Sequence, residues 1–144
     1  MLDHRCYPAA CNHIIHYRYK KCNKTYKTRY KDLVDYYAAL AAIRHEHPGF
    51  CLGDAALVRE KLSFIDVDDP CVVAFRISGL QDIDPASSLT VLLNGSKKPV
   101  KIDIPAGNYV TLAQNGVADA DGMGAFSGRT ISAAPTSATI LAEY

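Results

Sequence analysis

Carboxylates, histidines and cysteines give this 144-residue chain its capacity for chemistry, and their spacing decides what that capacity amounts to. Asp66, Asp68 and Asp69 crowd together ahead of Pro70. Two carboxyl groups held close can divide acid and base roles between them. The same residues before proline also make a solvated turn, because a short Asp side chain bonds its own backbone two residues on. The turn is the expectation here. Glu46 stands between His45 and His47. That is not the His-Glu-x-x-His spacing that sets two imidazoles on one helix face. A histidine pair at a helix end suits the open carbonyls there instead. Asp119, Asp121 and Gly122 hint at calcium. The EF-hand register fails, however, with Val117 at its first position and Gly128 at its last, so a polar loop is expected.

A second set of candidates lies in residues 1–27. Cys6, Cys11, His13 and Cys22 are the set that a zinc ion would use, with His4 and His16 nearby. Zinc needs four ligands converging tetrahedrally, and this spacing is not that of a finger. Free thiols are the expected state. The sequence contains no Ser-centred nucleophile elbow and no phosphate-cradling glycine loop.

The elements that would position these residues follow from periodicity. Residues 1–27 have little apolar patterning and read as an irregular basic arm rich in Cys and His. Asp35 to Phe50 reads as one amphipathic helix, begun at Thr28 or Asp32 and stopped by Pro48-Gly49. Leu33, Tyr36, Tyr37, Leu40, Ala41 and Ile43 form its apolar stripe. Asp54 caps a short second helix, Ala55 to Leu62.

From Ser63 the period changes to two. Strands are expected over Ser63–Val67, Cys71–Ile77, Leu89–Leu93, Val100–Ile104, Tyr109–Ala113, Arg129–Ala133 and Thr136–Ala142. Val73, Phe75 and Ile77 share one face. Asn94-Gly95 reads as a hairpin turn joining the third strand to the fourth, which Pro105 ends, and Asn115-Gly116 reads as another turn. The fold class is mainly β: an antiparallel Greek-key sandwich preceded by one long and one short α-helix. The division is a 1–27 arm, a 28–62 helical segment and a 63–144 sandwich.

Composition fits this plan. Hydrophobic residues at 49% and charged residues at 22% are ordinary for a globular domain. The formal net charge of +1 hides an asymmetry. Arg5, Arg18, Lys20, Lys21, Lys24, Lys27, Arg29 and Lys31 precede Asp32, opposed there only by Asp3, and the rest of the chain is acidic. Tyr7, Tyr17, Tyr19, Tyr26 and Tyr30 interleave with those cations, as in single-strand nucleic-acid binders. The arm is short and the remainder acidic, so nucleic acid is not the expected partner. No run reaches transmembrane length, so no membrane role is expected. Met1 to Tyr7 lacks the apolar core of a signal peptide. Five cysteines, an odd number, favour free thiols and a cytoplasmic setting.

Several of these segments carry a family resemblance. Asp35-Tyr36-Tyr37, Leu40 and Ile43-Arg44-x-Glu46-His47-Pro48-x-Phe50 resemble the segment that closes the catalytic barrel of type I pullulanases. These are debranching enzymes of glycoside hydrolase family 13, the α-amylase superfamily. Lys61 to Asp66 with Val73-Ala74-Phe75 resembles the entry into their C-terminal sandwich. Val91 to Gly95 followed by Pro99-Val100-x-Ile102-x-Ile104-Pro105-x-Gly107-Asn108-Tyr109 resembles its central hairpin. Ala134-Pro135-x-Ser137-Ala138-x-Ile140-Leu141 resembles its final strand. The likeness runs from about Lys27 to Tyr144, and residues 1–24 do not share it.

The resemblance implies where the chemistry would be. Retaining glycoside hydrolysis needs two carboxyl groups about 5–5.5 Å apart. In the family these stand on barrel strands that precede the closing helix. No acidic residue of this chain matches them, so no catalytic residue and no cofactor is assigned. The implied role is structural: a sandwich packed on the parent barrel. Without that barrel, the stripe of Leu33, Tyr37 and Leu40 is expected to dock on the chain's own sheet or on a second copy. The alternative is an autonomous α-glucan-binding module. Tyr109 and Phe126 are its candidate stacking residues, although Tyr109 sits in strand sequence and suits a core.

Overall fold

The computed structural model describes residues 28–144; the basic arm, with its zinc candidates Cys6, Cys11, His13 and Cys22, lies outside the described residues. The helical segment comes first. Helix α1 spans Lys31–Glu46, with Asp32 in its first turn and Arg44 and His45 in its last, each placed to favour the helix dipole. Lys31 and Asp35 form an i,i+4 ion pair on its exposed side. The helix gives way at His47 to a 3₁₀ turn over Pro48–Cys51, because Pro48 has no amide hydrogen to continue the ladder. Helix α2 spans Ala55–Lys61. Asp54 caps it as its sequence suggests, its Oδ1 accepting from the Ala56 amide at 2.8 Å.

Seven strands follow: β1 Leu62–Ile65, β2 Val72–Ser78, β3 Ser88–Asn94, β4 Val100–Gln114, β5 Val117–Ala118, β6 Ala125–Ala133 and β7 Ser137–Glu143. All pairings are antiparallel. The order is β1-β2-β3-β7-β4-β5, with β6 on β4. The last strand thus lies between the third and the fourth, a Greek-key arrangement. β4 pairs with β6 from Val100 to Val110 and with β7 from Val110 to Ala113. One long strand therefore serves both layers. Register shifts between Asp103 and Gly107, and again between Thr111 and Ala113, let it bend.

The main sheet contributes to a buried core on each face, complete on one and partial on the other. On one face Val72, Ala74, Leu92 and Leu141 meet Ile102, Ile104, Tyr109, Ile131 and Ala133 from the β4–β6 ribbon. On the other, Ile77, Leu89 and Ala142 meet Ile43 from α1 and Leu80 and Ala86 from the β2–β3 loop. Fully burying a side chain such as Ile43 contributes about 1.5–3 kcal/mol.

Val73, Phe75 and Ile77 do share one face of β2; Val73 there is exposed and Phe75 half-buried, whereas Val72 and Ala74 on the opposite face are buried. Two sequence expectations need correction. Asn94-Gly95 does not turn a hairpin, because β3 pairs with β2 and β7 while the chain crosses to the other layer. Asn94 instead pins that crossing. Its Nδ2 donates to the carbonyls of Lys98 at 2.9 Å, Ala133 at 3.1 Å and Ala134 at 2.9 Å, and its Oδ1 accepts from the Ser96 amide. Nor does Pro105 end its strand, since it sits in the bulged stretch where no ladder bond is required of it. Asn115-Gly116 does turn a tight hairpin, with both φ angles positive at 54° and 78°.

Thr90 and Thr139 are wholly buried between the layers, and neither hydroxyl has a hydrogen-bond partner among the described residues. Burying an unmade hydroxyl bond costs about 1–3 kcal/mol. Thr90→Val and Thr139→Val are expected to raise unfolding free energy by about 1 kcal/mol each, measured by urea denaturation at unchanged m-value. A loss of stability in both would mean that the hydroxyls are satisfied.

Candidate functional site

Where α1 meets the sheet, two buried side chains form a clasp. His47 follows α1, its amide donating to the Ile43 carbonyl at 2.9 Å. Asp84 comes from the loop between β2 and β3. Both are almost fully enclosed, and His47 Nδ1 lies 2.8 Å from Asp84 Oδ1. A carboxylate oxygen only accepts, so Nδ1 carries the hydrogen. Asp84 also accepts from the Gly49 amide through Oδ2 and from the Ala86 amide through Oδ1, each at 2.8 Å. One carboxylate thus gathers the helix end, the 3₁₀ turn and the loop. A Cβ on Gly49 would lie 2.7 Å from Leu80 Cδ1 and 3.0 Å from Asp84 Oδ2, so any other residue there would push these buried side chains aside.

Phe50 and Tyr144 close the clasp from two sides, their ring centroids 6.5 and 6.4 Å from that of His47. Partial burial raises the Tyr144 phenol above the ordinary tyrosine value, helped by the negative charges of Asp84 and Glu46.

A second polar cluster ties β2, β4 and β7. Arg76 Nη2 is 2.5 Å from Glu143 Oε2, and Nη1 donates to Tyr109 Oη at 2.9 Å. Ser88 Oγ donates to the same carboxylate at 2.9 Å, and Tyr109 Oη donates to the Pro105 carbonyl at 2.6 Å. The guanidinium also rides over the Tyr109 ring, 5.9 Å from its centroid.

The residues singled out from sequence can now be located. Tyr109 is 1% exposed and lies inside the sandwich, so its ring is a core element and not a surface for stacking sugar. Phe126 is half-buried, its ring stacked on Tyr109 at 6.2 Å. Leu40 packs against the α1-side core, whereas Leu33 and Tyr37 remain 54% and 66% exposed. Asp69 Oδ1 accepts from the Cys71 amide and Asp119 Oδ1 from the Asp121 amide, so both acidic stretches make turns. No group of three metal-ligating side chains occurs among the described residues. His45 and Glu46 are exposed at the helix end while His47 turns inward. Sequence reasoning missed Asp84 and the Arg76–Glu143 pair. Nothing in the loop sequence separates Asp84 from its neighbour Asp82.

An antiparallel sandwich entered through a clasped helix defines the class of fold, and comparison gives its kinship. Residues 58–116 match the family model of the pullulanase all-beta domain. The fold is similar to that of a pullulanase from Bacillus acidopullulyticus, with a TM-score of 0.77 at 21% identity over 83% of this chain and 14% of that one. The type I pullulanase of Bacillus subtilis, solved with maltose, matches at 0.73 and 21% over 81% of this chain and 16% of that one. A mutant Paenibacillus barengoltzii pullulanase solved with maltotetraose matches at 0.57 and 25% over 71% and 15%. The resemblance to type I pullulanases is thus carried by a family model and by the fold. The part matched is a non-catalytic all-β domain, a small share of a glycoside hydrolase. A match over 83% of this chain is more than the strands and their loops alone supply, so it includes helical residues.

Two outcomes test the clasp. Asp84→Ala leaves a buried imidazole and two amides without their acceptor, and is expected to cost about 3–5 kcal/mol in denaturant unfolding; a cost under about 1 kcal/mol would deny the clasp its role. For Tyr144, a phenol whose folded value is raised holds its proton longer than the unfolded chain does. Its contribution to stability is complete below the unfolded value near pH 10 and falls as pH rises beyond it. Ultraviolet titration of wild type against Tyr144→Phe should reveal one late-ionising tyrosine that the variant lacks.

Proposed function

We propose that this chain is the non-catalytic sandwich end of a pullulanase-like α-glucan debranching hydrolase, where it braces the catalytic barrel. On this reading residues 28–62 are the end of the barrel, 63–144 the C-terminal sandwich, and 1–27 a basic arm. The observation that carries it is the match of residues 58–116 to an all-β domain, within a fold that accounts for only 14–16% of its solved neighbours. Exposed apolar residues support it. Leu33 and Tyr37 on α1 are uncovered, as are Phe64 at 75%, Val73 and Leu93 on the sheet face that α1 partly covers. Apolar residues gathered on one sheet face suit a covered interface better than open water. A second copy of the chain is the alternative cover. Cys51 and Cys71 are exposed free thiols, which suits a reducing, cytoplasmic setting. No helix among the described residues is long and apolar enough to cross a membrane.

The test is a chimera in which residues 28–144 replace the matching segment of the Bacillus acidopullulyticus enzyme. The chimera is expected to fold and cleave pullulan, and the isolated chain to show no turnover. Leu33→Asp with Tyr37→Asp should lower the chimera's Tm while shifting the isolated chain's stability by no more than about 0.5 kcal/mol, as for surface substitutions. Turnover by the isolated chain, or equal effects in both settings, would overturn the bracing role.

A further inference from the structure

Asn is followed by Gly twice in this chain, at Asn94-Gly95 and Asn115-Gly116, and the fold puts the two pairs in opposite surroundings. Such a pair carries its own chemistry. The glycine amide nitrogen can attack the preceding Asn Cγ and close a succinimide ring, its proton leaving with the side-chain nitrogen as ammonia. Water then opens the ring at either carbonyl. One product is Asp; the other is isoaspartate, in which the main chain runs through the former side-chain carbon. Water is the only co-reactant. Glycine suits the attack because no Cβ hinders the approach of its nitrogen.

Asn94-Gly95 is closed to this reaction. Asn94 is buried, and its carboxamide is held at both ends. Nδ2 donates to the Lys98, Ala133 and Ala134 carbonyls, and Oδ1 accepts from the Ser96 amide. The nucleophile is engaged too, the Gly95 amide donating to the Cys71 carbonyl at 2.9 Å. Cyclisation there must first break these bonds.

Asn115-Gly116 has none of these restraints. Both residues are exposed at the tip of the β4–β5 hairpin. Among the described residues the Asn115 carboxamide has no hydrogen-bond partner and the Gly116 amide no backbone acceptor. Nothing stands within 4 Å of where a Cβ on Gly116 would be. We propose that Asn115 is a site of spontaneous isoaspartate formation and that the fold shields Asn94 from the same fate. The modification goes beyond the bracing role and does not depend on it.

Isoaspartate adds a methylene to the main chain inside a turn that fits two residues of positive φ. The segment beyond is held to β4 in register: Ala118 pairs with Ala113, and the Asp119 amide donates to the Leu112 carbonyl at 2.8 Å. Ala118 and Ala120 also pack on the α1-side core. A lengthened turn no longer matches that register, so the modification loosens this edge of the sandwich.

The 144-residue chain is incubated in mildly alkaline buffer, folded and in urea, and mapped by mass spectrometry with electron-transfer fragmentation to separate isoaspartate from Asp. In the folded chain Asn115 is expected to convert faster than Asn94 by more than about tenfold, because the buried pair reacts only through opening. In urea the two should convert at similar rates. The isoaspartyl form, isolated by ion exchange, should exchange its Asp119 amide hydrogen about tenfold faster than the fresh chain. Asn115→Asp adds the charge but keeps the main chain, since Asp also tolerates positive φ, and should exchange as wild type does. Equal conversion of both pairs in the folded chain, or an intact Asn115 there when urea has converted both, would overturn the site. Faster Asp119 exchange in fresh Asn115→Asp, matching the isoaspartyl form, would overturn the lengthened-turn account. The chimera's turnover and Tm are read separately and do not move with either result.

Discussion

The buried hydrogen bond between His47 and Asp84 is the constraint on which the helical side of the molecule depends. A helix lying on a sheet has freedom to slide and roll, because apolar contacts are non-directional. A directional bond removes that freedom. The carboxylate of Asp84 fixes the imidazole, the Gly49 amide and the Ala86 amide together, so the exit of α1, the 3₁₀ turn and the β2–β3 loop share one reference point. Ile43 then falls against Leu80 and Leu89, and Leu40 beside them. Tyr37, one turn before Leu40, stays exposed.

The opposite face of the sheet is organised by Tyr109. Its ring fills the space between layers, while its hydroxyl meets Pro105 and Arg76 at the edge of the core. Glu143 completes the arrangement by pairing with Arg76 and accepting from Ser88. Three strands distant in sequence are thereby registered by polar contacts at one end of the sandwich, and by Asn94 at the crossing between layers. The apolar residues between these points supply most of the driving force; the polar ones specify the register.

Local features of this architecture were legible in the sequence. Asp54 announced the start of α2, Pro48-Gly49 the end of α1, Asn115-Gly116 the β4–β5 turn, and the two-residue period the sandwich. Each is decided by neighbours within a few residues. What was not legible is decided at distance. Asn94-Gly95 has the composition of a hairpin turn, but the strand after it pairs with β6, so its side chain serves the crossing instead. Pro105 looks like a strand end until a bulge excuses its missing hydrogen. Alternation put Val73, Phe75 and Ile77 on one face of β2 but could not say how each face is covered, because β2 contributes to a core on both sides. Tyr109 reads equally as core or as sugar platform, and only its neighbours decide. Asp84 sits in a loop with no period at all, and its importance exists only once His47 arrives.

The place of β7 in the strand order bears on how the chain assembles as it is made. β2 with β3, and β4 with β6, are ribbons closed by local connections. The seam between them is filled by residues 137–143, synthesised after both. While a ribosome is still translating the stretch before Ser137, Ala74 and Leu92 on one ribbon and Ile102 and Ile131 on the other have no finished interior to enter. Such half-built intermediates expose sticky surface and unpaired strand edges. Emergence of Glu143 converts two exposed ribbons into one closed core.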